Sequence, residues 1–259
     1  MRPVTVTVVS HETSVDVEGP PGVVQAVILA LPPGAAIDIH HDVRSNACVR
    51  VAMSDDRRSG TVSSEHTGVM TADGWGTLVR LAVSATFESL AATAPGHVFV
   101  RGVSLGWRGV GIVIPGPLGC GGADLLRRST EAGAEYYSGD YAVLDGHGLL
   151  HPFASSLGSG DVERQGSGSN PPMVGRRPLN VGIVVAGPLA GGPTTASGND
   201  AAASLLRHRV PATSVSVDPI VVTARAVRCA LAVPDRLTDA AQFSSELLDL
   251  ADHLAGRAA

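Results

Sequence analysis

Residues 116–123 read Gly-Pro-Leu-Gly-Cys-Gly-Gly-Ala, between the apolar run Val110–Pro115 and a helical pattern that begins at Ala123. In the frame G-x-x-x-x-G-K-[ST], glycines let consecutive backbone N–H groups curl around a phosphate. A lysine then neutralises the terminal phosphates, and a hydroxyl holds the metal ion. Here Gly116 and Gly121 are in register, but Gly122 takes the lysine's place and Ala123 the hydroxyl's. All 19 basic residues are arginines and the chain contains no lysine, so no ammonium can reach in from elsewhere. Asp124 follows. In the first turn of a helix it would meet the free N–H groups that a phosphate needs, a favourable contact of about 0.3–1 kcal/mol. Gly116, Gly119, Gly121 and Gly122 therefore read as a phosphate cradle that is weak or empty.

Other residues also carry reactive groups. Arg127 and Arg128 lie one turn further on and are the cations that could swing towards it. Asp140, Asp145, His147 and His151 admit an acid–base set, set against a plain reading as turn and rim residues. His40-His41-Asp42 makes a poor chelate, because adjacent strand residues point to opposite faces. No metal site is expected. Cys120 sits near a helix N-terminus, where a thiolate can be favoured. Arg176-Arg177 reads as solvated surface or an anion contact, and Tyr136 and Tyr137 as one inward and one outward ring.

These residues need elements to hold them. Residues 3–9 alternate and are β-branched, which predicts a strand. A helix is expected over 22–31, ended by Pro32-Pro33. Strands follow at 36–40 and 47–53, then a polar, turn-rich stretch over 54–74. Trp75–Ala94 has helical periodicity. A second unit opens with the strand His97–Leu105, a turn at 106–109 and the buried strand Val110–Gly116. The Gly-rich loop, a helix closed by Gly133 and short strands up to 153 complete a strand–loop–helix–strand order. Residues 155–175 and 188–199 read as flexible loops, residues 178–187 as a strand, and 199–209, 218–232 and 238–256 as helices, the last with Thr238 as N-cap. The division is 1–95 for a smaller mixed α+β unit and 96–259 for the larger one.

Residues 97–153 resemble the HPr kinase-like family of P-loop proteins. The resemblance rests on His97-Val98-Phe99, Gly111–Pro117, Ala132-Gly133-Ala134-Glu135, Ser138-Gly139-Asp140, Ala142–Asp145 and His151-Pro152-Phe153, in that order; it extends less strongly to 176–186. It implies an α/β fold of P-loop type and an ATP-using kinase acting on a hydroxyl of a protein or peptide. It also implies that residues 138–140 should hold an acidic pair. Gly139 stands where the first acid, the base, belongs, and only Asp140 remains. With His97 at the head of the unit, Asp140 and His97 are the candidate catalytic residues.

Composition narrows the rest. The chain has 259 residues, 44% of them hydrophobic and 17% charged, with a net charge of −5, which suits a globular protein. No basic stripe suggests nucleic acid, and no apolar run suggests a membrane span. The odd, scattered cysteines Cys48, Cys120 and Cys229 suit a reducing, cytoplasmic setting. The expectation is a catalytically silent kinase-like protein that binds a peptide or protein partner in peptide natural-product biosynthesis, without a cofactor and with a homo-oligomer left open. The alternative is an ATP- and Mg-dependent serine kinase with an atypical loop.

Overall fold

A computed structural model describes residues 2–32, 35–38, 44–54, 58–116, 120–153, 173–186, 197–213, 216–228, 230–234 and 240–258. The chain forms two compact units: Met1–Gly96 with Val210–Ser216, and His97–Arg209 with Val217–Ala259.

In the first unit, β1 (Val4–Ser10) and β2 (Thr13–Gly19) form a hairpin. Helix α1 (Pro21–Leu29) then leads through β3 (Ala36–Asp38) to β4 (Ala47–Met53), which lies parallel to β2. β5 (Ser59–Ser64) and β6 (Gly68–Asp73) close a sheet of order β3-β1-β2-β4-β5-β6, and α2 (Trp75–Thr93) packs on it. Alternation places Val15, Val17, Val49, Val51 and Val62 in the core with Leu78, Val83, Phe87 and Leu90 of α2; burial of each such side chain contributes about 1.5–3 kcal/mol.

Two expectations change here. The stretch 54–74 is not mainly loop; it contains the β5–β6 hairpin. Its buried face is built from small residues, with Gly60 so close beneath Leu78 that a Cβ there would lie 2.8 Å from that side chain. This leaves little apolar alternation to read. β2 also lies where no strand was expected, although Val15-Asp16-Val17-Glu18 alternates plainly.

The second unit contains β7 (His97–Trp107), β8 (Val110–Pro115), α3 (Cys120–Glu131), β9 (Glu135–Ser138), β10 (Tyr141–Asp145), β11 (Leu149–His151) and β12 (Leu179–Ala186). After these come α4 (Gly198–Arg207), α5 (Pro219–Val227), β13 (Leu231–Pro234) and α6 (Ala240–Ala258). Pairing runs β10-β11-β12-β8-β7, and β10 also pairs with β7, so these strands close on themselves. β9 adds to β7 and β13 to β12. Every residue of β8 is buried, as expected of a strand covered on both faces.

α3 and α6 share one apolar cluster with Val103, Ile112 and Ile183; α4 and α5 share another with Val100, Val113 and Val184. The helix expected over 218–232 is shorter, because Leu231–Pro234 pairs in parallel with Ile183–Ala186 as a strand. The turn expected at 106–109 is tighter, since β7 runs to Trp107 and Arg108 and Gly109 take positive φ. α4 starts at Gly198, inside the stretch read as loop, with a Ser197/Asp200 capping box. Most of both expected loops, and Thr238, lie outside the described residues.

Candidate functional site

β8 delivers the chain to Gly116, which takes φ 108°, a conformation that favours glycine. Its N–H donates to the Arg101 carbonyl at 2.8 Å, and the Arg101 N–H donates to the His208 carbonyl at 2.8 Å. The His208 ring covers Gly116 closely enough that a Cβ there would lie 3.3 Å from it. His208, which follows α4, was not among the residues singled out from the sequence, and nothing in the run Arg207-His208-Arg209 marks it. Burial, and then the Arg207 charge, lower its pKa from the ordinary 6.5. The lowered pKa favours the uncharged ring over Gly116 at neutral pH.

α3 begins at Cys120, so Gly121 and Gly122 lie in its first turn and Gly119 lies outside the described residues. This early start corrects the expectation for Asp124, which lies beyond the first turn. Asp124 is held instead by the chain's own cations. Arg127 donates to its carboxylate, and Arg128 Nε lies 2.8 Å from Oδ2. Arg127 also pairs with Glu131 at 2.9 Å. Hydrogen bonds first from Arg128 and then from Arg127 lower the Asp124 pKa. Both arginines that could have swung to the loop are thus turned onto their own helix face.

The second candidate motif follows α3. Ser138 Oγ accepts from the N–H groups of Asp140 (3.2 Å) and Tyr141 (3.0 Å), which fixes the break between β9 and β10. The Asp140 carbonyl accepts from Gly102 N–H at 3.0 Å, and the residue is exposed. Asp140 and Gly116 are therefore bonded to consecutive residues of β7, Gly102 and Arg101. Gly139 lies against Tyr136, whose hydroxyl would be 2.9 Å from a Cβ at 139. Burial and then the Asp140 charge push the Tyr136 phenol above its ordinary pKa. Both tyrosines face inward, correcting the expectation of one outward ring: Tyr136 is 3% exposed and Tyr137 0%. They are locked there by residues 173–177. Tyr136 N–H donates to Met173 O, Gly175 N–H donates to Tyr136 O, and Tyr137 Oη donates to Arg177 O at 2.6 Å.

His97 lies elsewhere on β7, opposite Asp145 in the β7–β10 register. Asp145 Oδ2 lies 2.9 Å from His151 Nε2, while Oδ1 accepts from His147 N–H (2.8 Å) and Leu149 N–H (3.0 Å). The His97 and His151 rings meet edge to face at 5.4 Å. These residues fall into two groups: Gly116, Arg101, His208 and Asp140, joined through Arg101 and Gly102 of β7, and His97, Asp145 and His151 at the other end of the β7–β10 pairing.

Among the described residues, no group of three or more His, Cys, Asp or Glu is arranged to hold a metal ion. No helix among them is long and apolar enough to cross a membrane. His40-His41-Asp42 and Cys229 lie outside the described residues, as does the side chain of Cys120. No protein-family model, curated protein or solved structure matches this chain.

Proposed function

We propose that the chain is a catalytically silent, HPr kinase-like protein of P-loop type. In this reading it serves as a peptide- or protein-binding accessory in peptide natural-product biosynthesis. The observation that carries the silent part is the pairing of Asp124 with both Arg127 and Arg128 beside a loop that already lacks lysine and hydroxyl. At the places of the lysine and the hydroxyl a nucleotide would meet Gly122 and Ala123, which offer backbone N–H groups alone. Charge-assisted hydrogen bonds contribute about 1.5–3 kcal/mol each, and about 1.4 kcal/mol is tenfold in affinity. The two missing partners thus cost roughly a hundredfold or more. The binding role and the pathway rest on the family resemblance of residues 97–153.

The strand–loop–helix order supports the fold reading, with β8 buried and α3 starting within the glycines. Gly139, packed against Tyr136, supports the absence of a base. The test is calorimetry with millimolar Mg-ATP, together with a phosphate-transfer assay on partner peptides. The reading requires no saturable heat and no transfer. A micromolar dissociation constant would overturn it in favour of an ATP-dependent serine kinase with an atypical loop.

A further inference from the structure

The first unit holds a cavity of about 1000 Å³, lined by Pro3, Glu18, Pro20, Arg50, Met53 and Trp75 among others. It opens where the sheet is incomplete. The parallel ladder between β2 and β4 ends at Glu18 and Arg50, and β2 then turns at Gly19 into α1. β4 runs on to Met53 and is paired there only with β5 among the described strands. Ser54 N–H donates to Ser59 O at 3.0 Å on the β5 side. Backbone groups alternate sides along a strand, so the N–H and C=O of Met53 face the side that β2 has vacated. A lane of pairing-competent backbone therefore borders the cavity.

The walls add a side-chain preference. Trp75 is 47% exposed. Its ring rests on α1, with its edge 3.1 Å from where a Cβ at Gly22 would stand, and its uncovered part remains open to the cavity. Among the described lining residues the charged side chains are Glu18 and Arg50, 3.4 Å apart. Each offsets the other, so this pair selects no net charge. Recognition is left to backbone amides and one apolar contact, which is the chemistry of strand addition.

We propose that this notch docks an extended peptide of uncharged, alternating sequence, which pairs with Val51–Met53 in the vacated lane and sets one bulky apolar side chain against Trp75. The proposal rests on the peptide-binding reading above and says where the peptide lies. It involves no residue of the Gly-rich loop.

The experiment titrates the ¹⁵N-labelled full chain with the capped pentapeptide Thr-Val-Phe-Val-Thr. Two isomers are run beside it, each N-methylated on one of the two alternating sets of amides. Saturating shifts are expected at Val51–Met53 and at the Trp75 indole. One isomer, methylated on the edge that faces β4, binds at least about tenfold more weakly; the other keeps its affinity. Trp75→Ala, a change at a half-exposed side chain, weakens the parent peptide while the rest of the spectrum stays in place. Equal binding of both isomers overturns the proposal, as does the absence of shifts at Val51–Met53. Shifts confined to the second unit overturn the notch and leave the peptide-binding reading standing. The nucleotide calorimetry is decided separately.

Discussion

The Tyr136 phenol oxygen stands where a side chain at residue 139 would have to begin, 2.9 Å from the position of its Cβ. Packing therefore favours glycine at residue 139. Any longer side chain there would have to displace the Tyr136 hydroxyl.

Gly139→Asp should accordingly destabilise the chain, by about 1–3 kcal/mol for overpacking at a buried ring. Tyr136→Phe removes the obstructing oxygen, so the double variant should recover part of that loss. Denaturant midpoints of the two single variants and the double variant measure the coupling. Simple additivity would show that the two positions do not compete for space.

Restoring the loop tests the fold reading from the other side. Gly122→Lys, Ala123→Ser and Asp124→Asn together supply the missing cation and hydroxyl and release Arg127 and Arg128. Affinity for Mg-ATP should rise by roughly a hundredfold, while phosphate transfer stays absent because residue 139 still lacks a carboxylate. Calorimetry of the triple variant against the natural chain reads the first outcome, and a transfer assay the second.

Gly102 sits on β7 where its partners change, with Arg101 paired to Tyr141 and Gly102 to Pro115. Its φ is 145°, and a Cβ there would stand 2.2 Å from the Ile114 carbonyl oxygen. Gly102→Ala adds backbone strain to a main-chain collision that no side-chain rotation relieves. A loss of about 3 kcal/mol or more is expected in chemical denaturation.

Burial alone would raise the pKa of Asp145. The hydrogen bond from His151 and those from Leu149 and His147 outweigh it and hold the group below its ordinary 3.8. A carboxylate depressed in the folded state contributes stability above its unfolded pKa and loses it as pH falls through the folded value. Asp145→Asn should therefore cost about 1–3 kcal/mol at neutral pH. The gap to the natural chain should narrow below about pH 4. Unfolding curves at pH 7 and pH 3 measure the difference.

Local chemistry was legible wherever it is written in consecutive residues. The chain's own letters determine that Gly122 and Ala123 stand where the frame G-x-x-x-x-G-K-[ST] would have lysine and a hydroxyl, that no lysine exists, and that Val110–Pro115 is apolar enough to be covered on both faces. The periodicity of Trp75–Ala94 likewise identified α2. What the sequence could not carry depends on partners remote along the chain. The β5–β6 hairpin has too few apolar residues to announce itself, and is fixed by the cover that Leu78 gives Gly60. Leu231–Pro234 becomes a strand because β12 offers it an edge. His208 reaches Gly116 through α4 and the pairing of its carbonyl with Arg101. The contacts of Asp124 with Arg127 and Arg128 follow from their i,i+3 and i,i+4 spacing on a helix. Only its place past the first turn depended on where α3 starts, at Cys120.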